Sequence, residues 1–202
     1  MIKIALTLRF KGRRDYLHGT DFYNALCDHL PEALQSPPRP PFRMIIHKFA
    51  RNQCDLLVSD GSSITGRPEG HVAELACTSE AGKVVGWLVE TDRPVEGRYA
   101  YDEELIESSS VIEGDTIAFA GESGYTPIEV AVALARYLHY TLYPTNDKWI
   151  FTRLDLTRFF RAEDARFMRI RVEHNFNNKI TKSVIEAHDE VVGRIYFSTV
   201  KP

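Results

Sequence analysis

The side chains that could move protons or bind metal are scattered along this chain, and their neighbours decide which could act. Of seven histidines, His18 stands in the polar stretch "YLHGTDFYN" beside Gly19, with no apolar periodicity to place it in a core. It is therefore open to acid–base work near neutral pH. His29 and His139 fall inside apolar helical patterns and fit packed core residues, His47 lies in a strand-like run, and His174 and His188 flank the last strands as surface residues. No H-x-H or H-E-x-x-H spacing gathers them, and Cys27, Cys54 and Cys77 form no C-x-x-C pair. Neither a metal site, a disulfide framework nor a cofactor is expected, and the thiols read as small buried hydrophobes. The nucleophile elbow, the P-loop and the dinucleotide-binding glycine pattern are missing too. Lys11, Arg13 and Arg14 in "FKGRRDY" fit a solvated turn, or a contact to phosphate oxygens.

The carboxylates near these groups have local explanations as well. Glu129 stands three residues after Thr126 with Pro127 between them, the pattern of a capping box with proline at the first helical position. Asp21 suits a first helical turn, where negative charge meets the positive end of the helix dipole.

Around these residues the pattern of elements is alternating. Ile2, Ile4, Leu6 and Leu8 have the period of a strand with one buried face, and Thr20 can cap a helix over residues 21–33. The proline run at 36–41 ends regular structure. Strand formers fill 42–60, a loop covers 61–71, and "VAELACTSEAGKVVGWLVETD" predicts two strands joined by a turn. A charged stretch at 93–114 suits a connection or a lid. The set then begins again with a strand in "DTIAFAG", a helix from Thr126 that is apolar nearly all round, long strands, and the terminal hairpin ending in "DEVVGRIYFST". Val84, Val85 and Gly86 recur as Val191, Val192 and Gly193, and "MIIHKF" at 44–49 aligns with "WIFTRL" at 149–154 at nearly the same spacing. Shared order and near-constant spacing predict an internal duplication.

Bulk composition limits the function classes. With 202 residues, 44% hydrophobic and 26% charged, the chain can bury a core, and a net charge of -3 gives no basic field for nucleic acid or an anionic membrane. The apolar stretch at the start is too short for a signal peptide, and no run reaches membrane-spanning length, so a cytoplasmic protein is expected.

A strand, a buried helix and several long antiparallel strands, stated twice, resemble the hot-dog superfamily. The resemblance implies an α+β fold of two tandem hot-dog-like units, each a long helix wrapped by a curved antiparallel β-sheet. The halves would be 1–98 and 113–202, joined by 99–112 and packed as one globular unit. It further implies work on acyl thioesters of coenzyme A or acyl carrier protein, either dehydration of a 3-hydroxyacyl group or hydrolysis, at one composite site near the helix starts. The matching positions are His18, Asp21 and Glu129 as catalytic candidates, with Tyr16, Gly19, Glu122, Tyr125 and Thr126 beside the substrate. Dehydration would use His18 with Asp21 or Glu129, and backbone N–H groups at the helix starts would hold the thioester oxygen. Hydrolysis would use Glu122 or Asp21 on water or on the carbonyl. The residues depart from the usual patterns: His18 is followed by Gly-Thr-Asp rather than spaced prolines, and no Gly-His-Val-Asn occurs. A non-catalytic relative that binds an acyl or aromatic ligand, or acts as a scaffold, is the other reading. Monomer and homodimer are both compatible with the pattern.

Overall fold

The computed structural model describes residues 1–59 and 66–201, so the loop expected at 61–71 lies partly outside the described residues. Two compact units divide the chain, Met1–Tyr101 and Asp102–Pro202.

The first unit holds β1 (Ile2–Ala5), β2 (Phe10–Lys11), α1 (Gly19–Leu34), β3 (Arg39–Ile46), β4 (Asn52–Ser59), β5 (His71–Ser79), β6 (Gly82–Pro94) and β7 (Arg98–Tyr99). Antiparallel pairing orders its sheet β1-β4-β6-β5-β3. The alternating start forms a strand only as far as Ala5. Beyond it, the Gln53 side chain takes the place of a strand partner: Leu8 N donates to Gln53 Oε1 at 2.8 Å, and Gln53 Nε2 donates to Leu8 O at 2.8 Å. Leu6 and Leu8 are buried as their period requires, whereas Ile2 is exposed at the edge. α1 presents Phe22, Tyr23, Leu26, Leu30 and Ala33 inward, and ends at Gln35, whose left-handed backbone (φ 51°) lets its N–H reach Glu32 O.

The second unit holds α2 (Glu104–Glu107), β8 (Ser110–Glu113), β9 (Thr116–Ala120), α3 (Pro127–Leu142), β10 (Lys148–Leu156), a short 3-10 turn (Ala162–Ala165), β11 (Phe167–Phe176), β12 (Ile180–Ala187) and β13 (Glu190–Val200). Its antiparallel order is β10-β13-β12-β11-β9-β8. The stretch expected to be a weakly patterned connection thus carries α2 and β8. α3 buries Ile128 through Ala135 without interruption, as an all-round apolar helix must, and also Leu138 and His139. His139 is fully buried, with Nε2 3.4 Å from Ser183 Oγ and its ring against Trp149 and Phe197. Burial without a charged partner pushes its pKa down from 6.5 to about 3.

The recurring Val-Val-Gly has a packing reason in both units. A Cβ added at Gly86 would meet Leu57 O of β4 at 2.8 Å, and one at Gly193 would meet Asp155 O of β10 at 2.2 Å and Leu156 Cα at 2.9 Å. Each glycine lets a neighbouring backbone come close. The neighbours differ, because β6, which carries Gly86, lies between β4 and β5, while β13, which carries Gly193, lies between β10 and β12. The four strands that follow the long helix are thus ordered differently in the two sheets.

Candidate active site

The groups with chemistry gather at the start of α1. The residue that caps this helix is His18, not Thr20: its backbone is extended (φ -87°, ψ 144°) and its Nδ1 accepts from Thr20 N at 3.5 Å. Its carbonyl takes the N–H groups of Asp21 and Phe22 at 3.0 and 3.2 Å. Thr20 lies inside the first turn, fully buried, and its Oγ1 is 2.9 Å from His18 Nδ1. A backbone N–H can only donate, so this arrangement suits an Nδ1 that accepts, the role it has when the proton of a neutral ring lies on Nε2.

Lys11 supplies the other side of the cluster. The parallel pairing of β2 with β7, Phe10 opposite Arg98 and Lys11 opposite Tyr99, sets the lysine beside Tyr99. Arg98 fastens the following turn by donating to Gly12 O and Arg14 O, both at 2.6 Å. The expected solvated turn is correct for Arg13, which is exposed, and wrong for Lys11, which is 0% exposed. Lys11 Nζ donates to Thr20 Oγ1 at 2.5 Å and pairs with Asp21 Oδ1 at 3.1 Å, with its charge 4.6 Å from the Tyr101 ring centroid. Tyr99 OH donates to the same Asp21 oxygen at 2.6 Å. A carboxylate and the faces of Tyr99 and Tyr101, at 5.5 and 4.6 Å, thus surround the lysine Nζ where water would otherwise stand.

A cleft of about 270 Å³ opens beside this cluster, lined among others by Asp21, Tyr99, Arg9, Asn24 and His29. His29 is therefore a half-exposed cleft residue rather than part of the core expected from its helical spacing. Gly19 opens α1 in the buried region, and the half-buried Tyr16 packs against Phe49 with the rings tilted by 47° and their centroids 4.4 Å apart, 6.5 Å from the His18 ring.

The candidates of the second unit form a different arrangement. Thr126 caps α3 as expected, and both its N and its Oγ1 donate to Glu129 Oε2, at 2.9 and 2.8 Å. Tyr125 OH accepts from Asp102 N at 2.8 Å, and the exposed Glu122 pairs with Arg166 at 2.8 Å. These hydrogen bonds serve capping and loop closure. Among the described residues no group of three or more His, Cys, Asp or Glu is placed to hold a metal ion.

No family model matches the chain, and no curated protein matches it. Solved structures do. A candidate thioesterase II from Thermobifida fusca YX shares 9% identity over 98% of this chain and 92% of its own, with a TM-score of 0.51. A trans-AT PKS dehydratase domain from Brevibacillus brevis shares 10% over 98% and 93%, at 0.50. The dehydratase domain of PpsC from Mycobacterium tuberculosis, solved with C12:1-CoA, shares 7% over 92% and 85%, at 0.50. The chain has the hot-dog fold.

On this hot-dog chain, His18 and Asp21 are brought together, and Lys11, Thr20 and Tyr99 join them. Sequence reasoning missed the last three as members of the cluster. Tyr99 lies 78 positions from Asp21, and no local pattern ties the two. Lys11 gives no local signal either, since it falls out of phase with the alternation of Ile2, Ile4, Leu6 and Leu8, which would leave it on the solvent side.

Proposed function

We propose that the chain is an acyl-thioester enzyme built of two tandem hot-dog-like halves, acting on acyl groups carried by coenzyme A or acyl carrier protein, with its chemistry at the start of α1. The observation that carries this reading is the buried His18–Thr20–Lys11–Asp21–Tyr99 cluster, whose carboxylate and tyrosine line a cleft.

The placement of protons favours hydrolysis over dehydration. Asp21 Oδ1 accepts from an ammonium and a phenol, so Asp21 enters the reaction as a proton acceptor. A dehydratase would need His18 Nε2 as a base and the carboxylate as the acid, the reverse of both roles. In hydrolysis, Asp21 takes a proton from water as the oxygen attacks the thioester carbon, and His18 Nε2–H donates to the carbonyl oxygen as charge develops there. The tetrahedral intermediate then collapses, the C–S bond breaks, and the departing thiolate takes the proton from Asp21, leaving free acid and thiol. Glu129, Glu122, Thr126 and Tyr125 retain their structural bonds in this scheme.

The test is release of free thiol from acyl-CoA thioesters of short, long and aromatic acids, alongside water loss from 3-hydroxyacyl thioesters. Hydrolysis that falls by about 100-fold or more in His18→Ala and Asp21→Asn, with unchanged melting, supports the reading. Dehydration without hydrolysis would reverse the roles of the two groups. No turnover, with ligands still raising the melting temperature, would establish the non-catalytic binding protein instead.

A further inference from the structure

The geometry points to Lys11 as a positioning residue that holds His18 in its Nε2–H tautomer and Asp21 as a proton acceptor. The significance for catalysis rests on the thioester reading above, while the geometry stands without it.

A buried cation needs a reason. Lys11 is fully enclosed, and an apolar side chain of similar length would fill the same space without loss of solvation. Its ammonium has only donors, and two of its contacts are the atoms on which the proton arrangement turns: Thr20 Oγ1 at 2.5 Å and Asp21 Oδ1 at 3.1 Å. Donation into Oγ1 draws electron density from the hydroxyl and strengthens its own O–H as a donor, here toward His18 Nδ1 at 2.9 Å. That bond makes Nδ1 the acceptor and leaves the ring proton on Nε2. The same ammonium favours the ionised form of the carboxylate it touches, so one charge sets the state of both candidate groups. The nearby rings reinforce this, with Tyr99 and Tyr101 presenting faces at 5.5 and 4.6 Å.

The experiment is long-range 1H–15N correlation on protein labelled with 15N-histidine, in the wild type, Thr20→Val, Thr20→Ser and Lys11→Met. At pH 8 the wild type is expected to show His18 with an unprotonated Nδ1 and a protonated Nε2. Thr20→Val keeps the Lys11–Asp21 pair and removes the relay, and should give a mixture of tautomers. Thr20→Ser should restore the single form, and a folded Lys11→Met should resemble Thr20→Val. The acid limb of the hydrolysis profile should also move upward by about one pH unit in Lys11→Met and stay in place in Thr20→Val, because only the first removes the charge beside Asp21. A wild type with the proton on Nδ1, or tautomers that do not respond to Thr20→Val, overturns the inference whatever the activity. The expected tautomers in a protein that turns over no thioester would instead uphold the relay and remove the thioester reading.

Discussion

Acid should unfold the second unit partly through one residue, His139. Its imidazole is fully buried between α3, β10, β12 and β13, facing Ser183, Trp149 and Phe197, none of which carries charge. The folded pKa is near 3 against an ordinary 6.5, so the folded state refuses a proton that the unfolded chain accepts. The sign follows: the stability associated with a neutral His139 is complete above about pH 6.5 and is lost progressively as pH falls from there toward 3. At about 1.4 kcal/mol per pH unit, the loss between roughly pH 7.5 and pH 5 comes to about 2 kcal/mol from this group alone. The assay is urea unfolding at both pH values for the wild type and for His139→Leu, which keeps an apolar body in the site. Carboxylates titrating elsewhere affect both proteins equally, so the difference in their pH dependence isolates His139. An equal loss of stability in the two proteins would refute the reasoning and would mean that His139 is charged in the fold, or reaches water.

Other substitutions probe packing and local chemistry. Gly193→Ala should cost about 3 kcal/mol, measured by thermal or urea melting, and more than Gly86→Ala, because the new methyl meets Asp155 O at 2.2 Å rather than Leu57 O at 2.8 Å. Glu129→Ala should lower stability by about 1 kcal/mol through loss of its contacts to Thr126, and should leave thioester hydrolysis intact. The buried Cys54 and Cys77 thiols, pushed up to about 12 and about 11 chiefly by burial, should react with a thiol reagent at pH 8 only after unfolding, as followed by absorbance with and without denaturant.

The legible parts of the structure are those whose causes lie within a few residues. Thr126, Pro127 and Glu129 state the start of α3 in four positions, and the structure begins the helix at Pro127. The turn between β5 and β6 and that between β12 and β13 fall where glycine and acidic residues interrupt strand formers. The cap of α1 was displaced because histidine is an uncommon capping residue and Thr20 a common one, yet the chain turns at His18. Lys11 was illegible as a buried group for a different reason. Its enclosure depends on β7 and Tyr101, which lie far along the chain, and on an ion pair that only folding creates. The end of β1 has the same character, since Gln53 stands 45 positions from the Leu8 backbone that it completes. His29 failed through periodicity, which names the helix face but not the cleft that opens beside it.

The two sheet orders carry a lesson for anyone recombining this chain. Alignment by Val-Val-Gly would invite exchange of the β5–β6 hairpin for the β12–β13 hairpin, since each pairs a strand with a closing strand that carries the glycine. In its own setting Gly86 lies against β4, the strand before its hairpin, whereas Gly193 lies against β10, the strand that follows α3. A graft guided by sequence would bring the glycine to a stranger and put Val or Leu side chains where the backbone expects a gap. A recurrence of letters is thus a poor guide to interchangeable parts, and a workable chimera would have to carry the glycine's neighbour along with it.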